Sequence, residues 1–312
     1  MRHPFLFLYV LFAMGLCTCA DNTLTPSIEE GMAYIPAGVL EIEIPNNYSQ
    51  RISTKSIEIA AFQMDETEIS NAQFSAFVKE TNYKTIAERR LTDKELIAIY
   101  GKEVDLSNDS LRLPGALVFK PTDGPVNLND YSQWWEWRIG ASWSHPTGPA
   151  SHIKNIMNHP VVQISNEDAE AYCKWAGKRL PTEWEWEWAA KGGKQKALYA
   201  WGNEDINSGT PRANFYQGMF PYINTVKDGF AGTAPIKSYP ANGYGLYDMS
   251  GNVWEWCSSW LHPNGANNEK VIQGGSFLCT DEYCSGYRTS NRMGSSIDTG
   301  LNHTGCRCVK DF

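Results

Sequence analysis

The sequence predicts one domain of mixed helix and strand in which irregular chain outweighs both, and three observations carry this. Capped helix signals are confined to the first two thirds of the chain, in "DETEISNAQFSAFVKETNY" and "SNEDAEAYCKWAGKRLPTEWEWEWAAKGG". Beyond residue 195, Gly, Pro and Asn punctuate short apolar pieces, as in "GTAPIKSYPANGYGLYDMSGNVWEWCSSW", so loops dominate there. No repeat of fixed period and no Pro/Ser-rich linker divides the 312 residues, whose 42% apolar content can fill one sizeable core.

The chain opens with Arg2 and His3, an apolar run from Phe5 to Cys17 and the small residues of "CTCAD". This is a signal-peptide pattern, too short to span a bilayer. Cleavage after Ala20 and lipid attachment at Cys19, three residues beyond Leu16, both fit it. Residues 1–20 are therefore a leader, 21–30 a short tether and 31–312 the domain. The expected destination is exported: the periplasm, a lipoprotein anchor in the membrane, or secretion. Such a compartment is oxidising, and removal of the leader leaves six cysteines in it: Cys173, Cys257, Cys279, Cys284, Cys306 and Cys308.

Ser70 caps the first helix, with Phe74, Phe77 and Val78 as its apolar stripe. The segment 91–130 reads as an insertion with one helix near its start and little chemistry. Ser165 caps the next helix, Ala169, Tyr172, Cys173 and Ala176 share its buried face, and Gly177 stops it. Pro181, Thr182 and Glu185 start another, which ends at Gly192 and Gly193. Brief strands are predicted at "NVWEWCSSW", "VIQGGSF" and "GCRCVKD". The tryptophans, 12 in all and dense at 134–143, 184–188 and 254–260, read as core and aromatic cladding. With 27 Lys plus Arg against 35 Asp plus Glu and no basic run to track phosphates, nucleic acid is excluded as a partner.

The ordered series "MAYIPAG", "DETEISNAQFSAFV", "GASWSHPTGP", "HPVVQISNEDAEAYCKWAGKRLPTEWEWEWAAKGG", "YAWGNE", "RANFYQG", "DGFAGTAPIKSYPANGYGLYDMSGNVWEWCSSW" and "GGSFLCTDEYCSGYRTSNR" resembles the formylglycine-generating enzymes, or sulfatase-modifying factors, from about Met32 to Val309. The resemblance implies a single α+β domain with little regular secondary structure, a variant of the C-type-lectin-like fold. The same fold carries inert relatives and iron-dependent sulfoxide synthases, so the residues must decide the function. The synthases need a His-rich iron motif and usually a helical bundle, and neither is present here. An inert lectin-like or secretion-associated lipoprotein module suits the leader but gives no reason for the cysteine pair.

That pair is Cys279 and Cys284, five positions apart after Gly274, Gly275 and Ser276. In an arbitrary exported protein a structural disulfide is the ordinary reading. Zinc lacks a second close Cys or His pair, and a thioredoxin-like role lacks C-x-x-C and a βαβ unit. The resemblance implies instead that the two thiolates bind Cu(I), a soft ion suited to soft donors at low coordination number. The implied substrate is an unfolded sulfatase segment containing Cys-x-Pro-x-Arg, whose cysteine adds as a third sulfur ligand. Dioxygen and a thiol reductant complete the conversion to Cα-formylglycine through a thioaldehyde that hydrolyses. Ser276, Trp254 and Arg292 match pocket residues of the family, although Arg292 reads equally well as a structural ion pair. Gly300 and His303 depart from the family pattern of serine and asparagine, and His303 could donate a hydrogen bond to a peptide carbonyl.

The resemblance further implies two structural calcium ions, hard cations suited to oxygen donors from loops. One set is Asn214, the Phe215 carbonyl, Asp228 and the Phe230 carbonyl; the other is Asp248, the Gly251 and Val253 carbonyls and Glu255. A disulfide between Cys173 and Cys308 is implied in the same way, while Ala190 and Thr289 stand where a second family disulfide is absent. Cys257 and Cys306 are extra cysteines, and we expect them to pair with each other.

Overall fold

The computed structural model describes residues 27–45, 52–262 and 268–312; the leader and most of the tether fall outside them. The N-terminal part is strand-rich: β1 (Met32–Ile35), β2 (Gly38–Pro45), β3 (Ile52–Ile59) and β4 (Phe62–Asp65). Strands β2 and β3 pair antiparallel with Gly38 opposite Ile59. Helices α1 (Asn71–Thr81) and α2 (Asp93–Tyr100) follow, then the antiparallel pair β5 (Gly115–Phe119) and β6 (Trp135–Ile139). Next come α3 (Asn166–Trp175), α4 (Glu183–Ala190) and the small pair β7 (Gly218–Met219) and β8 (Ile223–Asn224). The last third holds β9 (Trp254–Trp260), β10 (Glu269–Gln273), β11 (Arg292–Ser296), β12 (Thr304–Gly305) and β13 (Val309–Asp311).

Two sheets organise the molecule. One runs β11-β10-β9-β12 with β12 parallel to β9; the other, β1-β4-β13, ties the start of the domain to its end. The architecture is α+β with long irregular connections, as the sequence predicts. Each α-helix starts with a reciprocal capping box: Ser70 with Gln73, Thr92 with Glu95, Ser165 with Asp168, Thr182 with Glu185. In each, two amide donors left over at a helix start find side-chain acceptors. Gly177, at φ +70°, follows α3 in the left-handed region that stops a helix.

Strand β9 divides the core by its period of two. Trp254 and Trp256 face a cluster with Phe74, Tyr172, Cys173, Cys306 and Cys308, whereas Cys257 faces another with Trp186, Ala190 and Val271. The Cys173–Cys308 disulfide forms there, with Cα atoms 5.8 Å apart. The expected Cys257–Cys306 disulfide does not, and both thiols are free and buried. Strand β12 runs parallel to β9 with Gly305 beside Glu255, and Cys306 packs on the Trp254–Trp256 side while Cys257 points to the other. Cys257 instead donates to Gln273 Oε1 at 3.5 Å. Ala190 and Thr289 are fully buried, and Thr289 Oγ1 donates to the Ala197 carbonyl, so packing and a hydrogen bond fill the place of a second crosslink.

The segment 91–130 departs from its sequence reading. Besides α2 it supplies β5, whose Leu117 bridges Leu301 and whose Phe119 packs on Phe220. Short strands such as β1 and β5 carry too few alternations to stand out from a loop in the sequence.

Candidate active site

The cysteine pair is built by a run of tight turns after β10. Gly274 and Gly275 adopt φ of +94° and +72°, and a Cβ on Gly275 would run into the Tyr287 backbone. Glycine is thus required for both conformation and approach. Cys279 N then donates to the Ser276 carbonyl at 2.9 Å, and Cys284 N and Ser285 N both donate to the Thr280 carbonyl. These turns bring the Cα atoms of Cys279 and Cys284 to 5.3 Å, and the two sulfurs are joined as a disulfide. The structure therefore presents the oxidised form of the pair, not the reduced form expected from the sequence. Cys279 is buried and Cys284 half-buried.

Both cysteines line a cavity of about 650 Å³ together with Ser276, Trp254, Arg292 and His303. All six residues singled out in the sequence for catalysis and substrate contact thus converge on one space. The backbone at Gly286 packs so closely that a Cβ there would strike the Trp254 ring and lie 3.2 Å from Cys279 Sγ. One further wall is aromatic: Phe220 stacks on Tyr283 at 4.5 Å between centroids, and Trp134 meets both edge-on. Sequence reasoning assigned Trp134 and Trp135 to cladding and missed Phe220 and Tyr283. The doublet in "QWWEW" was the available signal, since one member is buried in the wall and the other faces the cavity.

Arg292 forms an ion pair with Glu183, its guanidinium lies over the Trp184 ring at 5.3 Å, and it borders the cavity. His303 is buried and stacks on Trp135 at 4.9 Å. Its Nδ1 has no hydrogen-bond partner, and burial drives its pKa down to about 3, so the ring is a neutral imidazole. Gly300 has its own reason: a Cβ there would come within 2.8 Å of the Gln163 carbonyl, on which this loop lies.

The donor sets expected for calcium lie beneath the site. Asn214 donates to the Gly232 carbonyl and to Asn252 Oδ1, which leaves its own Oδ1 buried and unpartnered. Asp228 accepts from Phe215 N and Phe230 N, so the four expected donors come from two adjoining loops, and burial raises the Asp228 pKa. In the second set Asp248 accepts from Lys237 N, its Oδ1 is unpartnered, and burial raises its pKa to about 6. Glu255 is clamped by Arg307 and by Trp186 Nε1 at 2.7 Å each. The sequence reading missed Glu68. Its Oε2 is unpartnered, it is fully buried, and burial followed by the Asp248 charge pushes its pKa well up. Buried oxygens without donors in loop segments fit hard cations, and the paired sulfurs, once reduced, fit a soft one.

The profile of the "Sulfatase-modifying factor enzyme 1-like domain" matches residues 21–312. The chain belongs to this family of formylglycine-generating enzymes. It is 40% identical over 297 residues to a protein named "Formylglycine-generating enzyme" from Mycobacterium tuberculosis, covering 89% of this chain and 96% of that one. It is also 32% identical over 306 residues to mouse "Inactive C-alpha-formylglycine-generating enzyme 2", covering 95% and 91%. Among solved structures, PvdO from Pseudomonas aeruginosa aligns at a TM-score of 0.57 with 20% identity, covering 90% of this chain and 94% of that one, which shows the shared fold. Among the described residues no helix is long and apolar enough to cross a membrane.

Proposed function

We propose that this protein is an exported oxidase that converts the cysteine of a Cys-x-Pro-x-Arg segment in a sulfatase to Cα-formylglycine. The observation that carries the reading is the convergence of Cys279, Cys284, Ser276, Trp254, Arg292 and His303 on one cavity. Dioxygen is the oxidant and a thiol the reductant. The balance is one substrate thiol, one dioxygen and two reductant thiols giving aldehyde, hydrogen sulfide, water and one disulfide.

A thiol reductant first opens the Cys279–Cys284 disulfide through its half-buried member, Cys284. The two thiolates so released would hold Cu(I), which supplies the one-electron chemistry with dioxygen that the protein's own side chains lack. The aromatic walls limit water around the reacting sulfur and favour apolar contact with the substrate chain. His303, held neutral by burial, can donate to a peptide carbonyl without carrying a charge into the cavity. Arg292, fixed by Glu183 and Trp184, presents a cation at the rim. Two calcium ions at the unpartnered oxygens of Asn214, Asp248 and Glu68 would order the loops behind the site, with Asp228 completing the first set. Export is supported by the buried Cys173–Cys308 crosslink, a feature of oxidising compartments. A lipid at Cys19 and a free mature chain after Ala20 both remain compatible with it.

The test is incubation of the reduced, copper-loaded protein with a Cys-x-Pro-x-Arg peptide, dioxygen and a thiol, followed by mass spectrometry. An aldehyde product supports the oxidase. No aldehyde, together with no tight copper uptake by the reduced protein, leaves a passive module of the kind represented by the inactive relatives.

A further inference from the structure

A second cavity, of about 520 Å³, lies beside the first and is built partly by the segment 91–115. Three elements run from one cavity into the other. In β6, Trp135 lines the first while Trp137 and Ile139, on the same face by the period of two, line the second. In β11, Arg292 and Met293 line the first and Ser296 the second. The following loop gives Asp298, Thr299 and Gly300 to the second cavity and Leu301 and His303 to the first.

At one edge of the second cavity, Gly115 allows β5 and β6 to approach closely. Gly115 stands opposite Ile139 across the β5–β6 pair, and opposite residues in an antiparallel pair share a face. A Cβ at Gly115 would meet the Arg138 carbonyl. The polar groups around the cavity satisfy one another: Arg89 pairs with Glu95 at 3.0 Å, and Asp298 accepts from Ser296 Oγ at 2.7 Å. The walls left without partners are apolar, chiefly Leu111, Trp137 and Ile139, the last two being 53% and 51% exposed.

We propose that this second cavity is an exosite for the substrate chain, taking a bulky apolar side chain about five residues from the target cysteine, just outside the Cys-x-Pro-x-Arg core. The occupant follows from continuity: an extended peptide reaching the cysteine pair along β6 has its next side-chain pocket here. From Trp135 to Ile139 the strand advances roughly 13 Å, which an extended peptide spans in about four residues. The proposal rests on the oxidase reading for the position of the target cysteine.

The test uses fifteen-residue peptides with serine in place of the target cysteine, so that binding is read without chemistry. A leucine or tryptophan is walked through positions four to six residues before and five to six residues after that serine, with aspartate as the control. Fluorescence anisotropy should give binding about tenfold tighter for the apolar side chain at one of these positions. In Trp137→Asp/Ile139→Asp, both exposed positions, the preference should vanish, while conversion of a bare five-residue peptide stays within about twofold of wild type. Absence of any positional preference, or its survival in the double variant, overturns the exosite. Failure of wild type to convert the five-residue peptide overturns the oxidase reading alone, because the serine-peptide binding series still decides the exosite.

Discussion

Two disulfides sit in this molecule in opposite surroundings. Cys173–Cys308 joins α3 to the segment before β13 inside the core, spans 135 residues and has both cysteines fully buried. Cys279–Cys284 spans five residues, lines a cavity and has one half-buried member. Chain entropy removed from the unfolded state gives about 5 kcal/mol for the long loop but only about 2 kcal/mol for the short one. The first is placed where a crosslink stabilises most and a reductant reaches least. The second is placed where it stabilises little and a reductant can reach it, the placement that the proposed oxidase chemistry requires.

That contrast can be broken or sharpened by experiment. Replacing Cys173 and Cys308 together by serine should cost about 5 kcal/mol in denaturant unfolding, and a loss below about 1 kcal/mol would remove the contrast. Cys284→Ser should cost no more than about 2 kcal/mol of stability yet lower peptide conversion by at least about a thousandfold, close to 4 kcal/mol; retained conversion would show that the pair is only a clasp. Calcium at a hundredfold its dissociation constant should stabilise by about 2.7 kcal/mol, and Glu68→Gln should weaken that shift in a calcium-titrated melt. An unchanged titration would remove Glu68 from the site.

His303 provides a smaller effect in the cavity. Its folded pKa of about 3 lies below the ordinary 6.5, so the unfolded chain takes up a proton first as pH falls. The stability contribution is therefore complete above about pH 6.5 and lost progressively toward pH 3, amounting to about 1 kcal/mol by pH 5.5. His303→Asn should flatten that part of the pH–stability curve. Of similar size, Cys257→Ala should cost about 1 to 2 kcal/mol, the scale of a small buried side chain and one weak hydrogen bond. Thiol mapping of the denatured, unreduced protein should find Cys257 and Cys306 alkylated.

The sequence made some parts legible for identifiable reasons. Ser70, Ser165 and Thr182 declared helix starts because a capping box is a local pattern. The cysteine pair declared itself because its glycine turn and spacing are contiguous. The expected Cys257–Cys306 pair fails because Cys306, just past β12, packs on the Trp254–Trp256 side of β9 while Cys257 faces the other side. Glu68 was invisible because its significance lies in sharing a buried space with Asp248, Glu255 and Arg307, residues 180 or more positions further along. The second cavity was invisible because its lining comes from three separate stretches, 86–115, 137–139 and 296–300, brought together only by the fold.

By itself the sequence determined the helix boundaries, the turn that carries the cysteine pair, and the family, all set by patterns within a few residues. The tertiary structure decided which cysteines could meet, which carboxylates were left without partners, and that the same three elements run from one cavity to the other. Those outcomes depend on strand register and burial, which arise only when distant segments are packed together.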